Sequence, residues 1–144
     1  MAGDVHLRLT MLRYLEQKSA GLLRHVVADE PGLDKGVSVE LCSAFDDHER
    51  HAEELNAILR DAGEQGLPVP ASFARDVDER IARVGASRTK EEVIERLAAL
   101  EIFAVEQYHL AMASAGPEAH GALLAQLLDE QRHAQVLGAK AQRT

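Results

Sequence analysis

The stretch Leu97–Val105 reads LAALEIFAV, and its one ionisable side chain is Glu101. Alanine and leucine at this density favour a helix over a strand. Burying an unpaired carboxylate is costly, so a buried glutamate loses its charge, pairs with a cation or binds a metal ion. We therefore expect Glu101 to lie on a core-facing helix and to have a partner elsewhere in the chain.

The composition limits the classes of protein to which this chain could belong. Its 144 residues fit one domain, 1–144, and its formal net charge of −8 includes no basic block. This charge argues against binding to nucleic acid or to anionic membranes and favours cations as small partners. No apolar run approaches the roughly 20 residues that span a bilayer, and the N-terminus lacks a signal-peptide pattern. Because the chain has one cysteine, Cys42, it cannot form an internal disulfide, and we expect a cytoplasmic protein. We expect Cys42 itself to lie in the core.

Four long segments have apolar residues at spacings of three and four, the pattern of amphipathic helices. The predicted helices cover about 4–28, 37–62, 90–114 and 118–140. The stretch Asp29–Gly32 ends the first helix, and Gly63 ends the second. Thr89, followed three residues later by Glu92, is a capping-box signal at the start of the third helix.

The connections between these helices differ in length. Short links join the first two and the last two helices into antiparallel hairpins, whereas 63–89 separates the second helix from the third. The glycines and prolines of 63–70 exclude a continuous helix there, and Ser72 is expected to cap a short helix that runs to about Val84. A link this long lets the second and third helices run parallel. The sequence therefore predicts an all-α four-helix bundle with one long crossover.

Acids and histidines lie opposite one another in both hairpins. Residues equidistant from the loop of an antiparallel hairpin lie at one level of the bundle. In the first hairpin a glutamate lies level with two histidines, and in the second a glutamate lies level with a glutamate and a histidine. The six residues are Glu16, His48, His51, Glu101, Glu130 and His133. Because each lies on the apolar face of its helix, we expect them to meet in the core.

The spacing within the fourth helix indicates a metal site. Glu130 and His133 are three residues apart and share one helix face, so both could reach one ion. Carboxylate oxygen with imidazole nitrogen suits iron, manganese or zinc. A further Glu-x-x-His pair in the third helix, Glu106 with His109, lies off this level and is interpreted as a chance match. Tyr108 is either a hydrogen-bond donor near the site or a core residue.

At these residues the chain resembles the ferritin-like superfamily, the bacterioferritin and rubrerythrin type of di-metal carboxylate bundle. In that family one Glu comes from each of two helices and a Glu-x-x-His pair from each of the other two. The resemblance spans nearly the whole chain and includes LLDEQRHA at 127–134. It implies a centre of two iron ions, with manganese or zinc as alternatives, and an oxidoreductase of ferroxidase or peroxidase type. It also implies a homo-oligomer, with a dimer favoured.

Carried over residue by residue, the resemblance implies a metal-ligand set. The implied ligands are Glu16, His48, His51, Glu101, Glu130 and His133. His48 departs from the pattern, because the family has there a Glu that bridges two metals. We expect only one nitrogen of His48 to face the site, so it would not bridge in the same way.

Two other functional hypotheses stay open. The first is a metal-free or degenerate bundle that acts as a structural or interaction module, and His48 motivates it. The second is a hydroxylase, which would need an open pocket beside the metals. A hemerythrin-type site is excluded, because it requires ligands four residues after its histidines. Those positions after His48 and His51 hold Ala52 and Leu55.

Overall fold

The structure is a computed structural model that describes residues 2–30 and 32–142. Over these residues it contains five α-helices and no strand, which confirms the all-α prediction. The helices are α1 (Ala2–Asp29), α2 (Lys35–Asp61), α3 (Ala71–Gly85), α4 (Lys90–Ser114) and α5 (Pro117–Gln142). The four long helices end within about two residues of the predicted boundaries, the usual uncertainty of a helix end. Within the described ranges, no helix is both long enough and apolar enough to cross a membrane. Pro31, expected to help end α1, lies outside the described residues.

Local chemistry sets both ends of α2. The side chain of Asp34 accepts a hydrogen bond from the Val37 N–H at 2.8 Å, which starts the helix two residues before the predicted position. At the other end, Gly63 has a φ of 73°, and its N–H and that of the next residue donate to carbonyls of the last turn. This left-handed conformation is easy for glycine, so Gly63 ends the helix as predicted.

The starts of α3 and α4 differ in how well the sequence predicted them. Thr89 Oγ1 accepts the Glu92 N–H at 3.1 Å, which confirms the predicted cap of α4. The Glu92 carboxylate bonds the Arg88 N–H at 2.9 Å rather than that of Thr89. The prediction that Ser72 caps α3 was wrong, because the helix starts directly after Pro70 and has no side-chain cap. Pro70 disfavours helical conformation in the residue before it, so the helix does not extend further toward the N-terminus.

The four long helices pack as two hairpins side by side. In the described chain α1 contacts α2, α4 contacts α5, and the hairpins meet through α1 with α4 and α2 with α5. One apolar cluster lies at the starts of α2 and α4. It includes Leu23, Leu41, Leu97 and Leu137. A second cluster lies at the ends of α2 and α4. It includes Leu12, Leu59, Ala111 and Leu123. Because α2 and α4 start at the same end of the bundle, they run parallel.

The short helix α3 holds the long link against the bundle. It contacts α1 and α4. Phe73 and Val77 pack with Leu15 and Leu100, and the rings of Phe73 and Phe103 stack with 6.1 Å between centroids. Burying each such side chain stabilises the fold by about 1.5–3 kcal/mol. The link is therefore packed structure along α3, outside the four-helix core.

Cys42 is exposed, so the expectation that it lies in the core was wrong. The buried stripe of α2 runs through Leu41, Ala44 and His48 at spacings of three and four. Cys42 follows Leu41 directly and therefore lies about 100° away around the helix.

Candidate metal centre

The six residues predicted to meet in the core are all buried. They are Glu16 on α1, His48 and His51 on α2, Glu101 on α4, and Glu130 and His133 on α5. None of them is more than 3% exposed. Each lies on a helix face that otherwise carries apolar side chains, so packing that face brings the polar group inside. The group lies between the two apolar clusters.

His48 contacts carboxylates from three other helices. Its Nδ1 lies 2.9 Å from Glu16 Oε2 and 3.3 Å from Glu130 Oε1, and its Nε2 lies 2.8 Å from Glu101 Oε1. The expectation that only one nitrogen of His48 faces the site was therefore wrong. A carboxylate that has lost its proton can only accept, so each of these nitrogens donates a hydrogen when its partner is ionised.

His51 shares two of these carboxylates. Its Nδ1 lies 3.0 Å from Glu16 Oε2 and 3.1 Å from Glu130 Oε1. Glu16, His48, His51 and Glu130 each offer one ligand atom, and the four atoms lie within 4.8 Å of one another. The contacts between their nitrogens and oxygens, 2.9–3.3 Å, match neighbouring ligands around one ion with bonds of about 2 Å, so the four residues could hold a metal.

His133 is buried beside this group but has other partners. Its Nδ1 lies 3.0 Å from Glu40 Oε1, and its Nε2 lies 2.9 Å from Asp47 Oδ2. The His133 ring centroid lies 5.9 Å from that of His48. The structure therefore brings His133 to the predicted level while both of its nitrogens face carboxylates of α2.

Three buried carboxylate oxygens in the described chain have no hydrogen-bond partner. They are Glu16 Oε1, Glu101 Oε2 and Glu130 Oε2. Leaving a buried polar atom unsatisfied costs about 1–3 kcal/mol, and more for a charged group. Unpartnered oxygens on three carboxylates at one level point to a cation or to protons as their missing partners.

The two glutamates that contact His48 differ in acidity. Burial alone would raise the pKa of Glu16, but the charge of His48 and hydrogen bonds from His48 and His51 lower it to about 2. Burial raises the pKa of Glu101 to about 7; the charge of His48 opposes this shift, and the charge of Glu130 adds to it. Glu16 is therefore ionised at neutral pH, whereas Glu101 is close to its titration midpoint.

Both histidines of α2 favour the charged form. Burial would lower the pKa of His48, but the charges of Glu130, Glu101 and Glu16 raise it well above 6.5. Burial acts in the same direction on His51, but its hydrogen bonds to Glu130 and Glu16 and their charges raise its pKa to about 10. Without a metal, two imidazolium rings balance the buried carboxylates.

Asp129 was not predicted to contribute to the site, and it orients His51. Its Oδ2 lies 2.8 Å from His51 Nε2 and accepts a hydrogen bond from Arg50 Nη2 at 2.8 Å. Hydrogen bonds from His51 and Arg50, opposed by partial burial, lower the pKa of Asp129. Asp129 is therefore an ionised acceptor that holds the outer nitrogen of His51.

Asp47, also not predicted, has the matching role on the other helix. Its carboxylate accepts hydrogen bonds from His133 Nε2 at 2.9 Å and from Arg132 Nη2 at 2.8 Å. The sequence carried a signal for both aspartates, because Asp47–His51 and Asp129–His133 share the spacing Asp-x-x-Arg-His. Glu40, which also contacts His133, belongs to no such pattern.

Tyr108 lies beside the histidine and carboxylate group, where burial and the charges of Glu16 and Glu130 raise its pKa well above 10, whereas the second Glu-x-x-His pair lies outside the group. Tyr108 is fully buried and donates to Gln126 Oε1 at 3.0 Å, with its ring 6.4 Å from that of His51. Tyr108 is therefore a core residue, and its role as a hydrogen-bond donor near the site stays a prediction. Glu106 and His109 are exposed, which agrees with the interpretation of a chance match.

The comparisons with known proteins add no identity to this geometry. No family model matches the chain, and neither a curated protein nor a solved structure matches it. The functional interpretation therefore rests on the residues of the centre.

Proposed function

We propose that this protein binds a transition-metal ion, iron or manganese, in the buried centre between α1, α2, α4 and α5. The observation that carries the proposal is the group Glu16, His48, His51 and Glu130, whose ligand atoms lie within 4.8 Å of one another. Two imidazole nitrogens with two carboxylates form a mixed donor set that suits Fe²⁺ or Mn²⁺ and is uncommon for Mg²⁺ or Ca²⁺.

A second observation, the unpartnered carboxylate oxygens, also supports a bound ion. Glu16 and Glu130 each carry an oxygen with no partner in the buried centre. A divalent cation bound by the two carboxylates would neutralise their charge and replace the positive charge that the two imidazolium rings otherwise supply. The centre therefore has the donors, the burial and the charge that a resident cation needs.

We further propose that the bundle is ferritin-like and that its activity is oxidation by oxygen or peroxide, of ferroxidase or peroxidase type. The parallel course of α2 and α4 and the packing of the two hairpins support this fold. A bound iron ion would supply the one-electron chemistry. The chain would hold it through Glu16, Glu130, His48 and His51, and the apolar clusters on either side would exclude water.

Metal analysis tests the proposal. Protein purified from the cytoplasm of cells grown with added iron is expected to carry stoichiometric metal. Protein stripped with a chelator is expected to rebind added Fe²⁺ and to accelerate its oxidation by oxygen. Glu16→Gln is expected to reduce binding at least tenfold, because it removes a buried charged ligand. Glu106→Gln is the matched control, since Glu106 is exposed. Metal-free wild-type protein with no affinity for added Fe²⁺ or Mn²⁺ would refute the proposal.

A second candidate is a metal-free interaction module, which one observation favours. His48 contacts Glu16, Glu101 and Glu130, so the centre contains its own counter-ion. This candidate predicts the same melting temperature with and without added Mn²⁺. Metal binding to the folded state alone predicts a rise that grows with metal concentration.

Self-association as a dimer completes the proposal. Four large apolar side chains are exposed along α4 and α5: Ile102, Leu110, Leu124 and Leu128. Covering them in a second copy of the chain would remove apolar surface from water. Analytical ultracentrifugation is expected to give a dimer for the wild type and a monomer for Leu128→Glu.

A further inference from the structure

We propose that the centre binds one divalent ion per chain, through Nδ1 of His48 and His51 and the carboxylates of Glu16 and Glu130, and that His133 is not a ligand. This inference rests on the proposed metal binding. It departs from the two ions and six ligands that the ferritin-like resemblance implies.

The two histidines of α2 point the same atom inward. Nδ1 of His48 and Nδ1 of His51 lie 2.9 and 3.0 Å from the same oxygen, Glu16 Oε2, and both lie within 3.3 Å of Glu130 Oε1. Two nitrogens and two oxygens therefore converge on one point from three helices. An ion at this point would replace the hydrogens that both Nδ1 atoms donate to these carboxylates.

The second nitrogen of each ring, Nε2, contacts a different carboxylate. His48 Nε2 lies 2.8 Å from Glu101 Oε1, and His51 Nε2 lies 2.8 Å from Asp129 Oδ2. Metal-bound histidines usually donate their other ring N–H to such a group, which fixes the tautomer and the ring orientation. Glu101 and Asp129 thus act as positioning residues that keep the hydrogen on Nε2 and leave Nδ1 for the ion.

His133 lacks a nitrogen that faces the convergence point. Its two nitrogens lie 3.0 Å from Glu40 and 2.9 Å from Asp47, and Asp47 also pairs with Arg132. Ligation by His133 would break at least one of these contacts. Its role is to tie α5 to α2 beside the centre.

A second ion would find few donors. On the far side of His48, Glu101 Oε2 has no partner, but the nitrogen facing Glu101 is Nε2 of the same His48 ring. An ion bound there as well as one at Nδ1 would require this imidazole to lose both of its ring hydrogens.

The first experiment counts ions. Chelator-stripped full-length protein is dialysed against Mn²⁺ and, separately, Co²⁺, and bound metal is measured by elemental analysis. We expect one ion per chain at saturation. Two ions per chain would overturn the inference and leave the proposed metal binding standing. No bound ion in the wild type would refute both.

The second experiment compares the two histidines that end the Asp-x-x-Arg-His segments. His51→Gln is expected to weaken Mn²⁺ binding at least 100-fold. His133→Gln is expected to retain one ion with affinity within about threefold of wild type and an unchanged absorption spectrum of bound Co²⁺. His109→Gln, at an exposed position, is the control for loss of a histidine. Loss of the ion in folded His133→Gln protein would overturn the inference. If that variant does not fold, the ion count of the wild type decides.

Glu101 is tested as a positioning residue. Glu101→Gln keeps an oxygen that accepts the His48 Nε2–H, so it is expected to bind one ion within about tenfold of wild-type affinity. Glu101→Leu removes the acceptor and is expected to weaken binding about 10- to 100-fold while the count stays at one. Equal and complete loss of the ion in both variants would instead make Glu101 a ligand.

Discussion

Two segments of this protein share a pattern and differ in what they do with it. Asp47–His51 on α2 and Asp129–His133 on α5 both read Asp-x-x-Arg-His, and each aspartate contacts the last histidine of the other segment. They differ at the second position, which is His48 on α2 and Glu130 on α5, and at the third, which is Glu49 on α2 and Gln131 on α5. His51 faces the carboxylates of the centre with one nitrogen, whereas His133 faces Glu40 and Asp47 with both.

The difference shows how one position sets the charge of a buried site. A glutamate at 48 would add a fourth carboxylate to those of Glu16, Glu101 and Glu130. Histidine instead supplies a positive charge and bonds two of them at 2.9 and 2.8 Å. The α2 segment therefore neutralises the centre, and the α5 segment contributes part of the charge that needs neutralising.

Making the two segments alike is expected to have the largest effect. His48→Glu replaces a cation by a fourth buried carboxylate, and breaking a buried ion pair in this way costs about 3–5 kcal/mol. Each kcal/mol shifts the melting temperature of a chain this size by about 2–4 °C, so metal-free protein should melt roughly 6–20 °C lower.

Added Mn²⁺ is expected to restore the stability of His48→Glu. The number of bound ions per chain is expected to rise from one in the wild type to two in this variant. Thermal melts with and without Mn²⁺, together with elemental analysis, measure both effects. His109→Glu makes the same chemical change at an exposed site and should melt near the wild type. A His48→Glu protein as stable as the wild type without metal would show that His48 does not balance the centre.

Removing the last histidine of each segment in turn is expected to lower the free energy of unfolding by different amounts. His51→Ala removes one of the two rings that contact both Glu16 and Glu130 and should cost about 3–5 kcal/mol without metal. His133→Ala should cost about 1.5–3 kcal/mol, because its partners Glu40 and Asp47 are partly exposed to water. Urea denaturation of the metal-free proteins measures the two values, and an inverse ranking would contradict the roles assigned here.

The level of the site could be predicted from the sequence because it depends on regular geometry. Helices of known pitch joined by short loops fix which residues lie level, so Glu16, His48 and His51 were predicted to meet. The lengths of the helices and the cap at Thr89 follow from the same local rules. The direction of a side chain does not follow from these rules, because a ring on a helix can rotate toward either of two neighbours.

The details that sequence reasoning missed depend on contacts between helices. His48 was expected to show one nitrogen to the site, but Glu101 lies across the bundle where Nε2 can reach it. Asp47 and Asp129 were not predicted to contribute, because only the packing of α2 against α5 pairs them with histidines. The repeated Asp-x-x-Arg-His spacing was the one available signal.

The stability of the metal-free protein is expected to fall as the pH rises from about 5 to 9. The folded pKa of His51, about 10, lies above its ordinary 6.5, so its contribution is complete below pH 6.5 and is lost as the pH rises through 10. Glu101, raised from 4.5 to about 7, acts in the same direction between those values. Glu16, lowered from 4.5 to about 2, acts oppositely, and its contribution is lost as the pH falls below 4.5.

Urea denaturation at pH 5, 7 and 9 without metal measures this decline. Mn²⁺ affinity should change in the opposite sense and increase with pH, since the ion competes with protons for both Nδ1 atoms. Stability that stays level from pH 5 to 9 would contradict the charged state assigned to the two rings of α2.

The smallest expected effect concerns the arginines of the two segments. Arg50 bonds Asp129 and Arg132 bonds Asp47, each at 2.8 Å, but the arginine side chains are 52% and 50% exposed. Exposed ion pairs contribute about 0.2–1 kcal/mol, and salt weakens them. Arg50→Gln and Arg132→Gln should therefore each lower stability by no more than about 1 kcal/mol.

Their effects on metal binding should differ, because Asp129 orients the ligand His51 whereas Asp47 holds His133. Arg50→Gln is expected to weaken Mn²⁺ binding severalfold and Arg132→Gln to leave it unchanged, as measured by equilibrium dialysis at low salt. Equal effects of the two variants on binding would mean that the two segments are functionally equivalent.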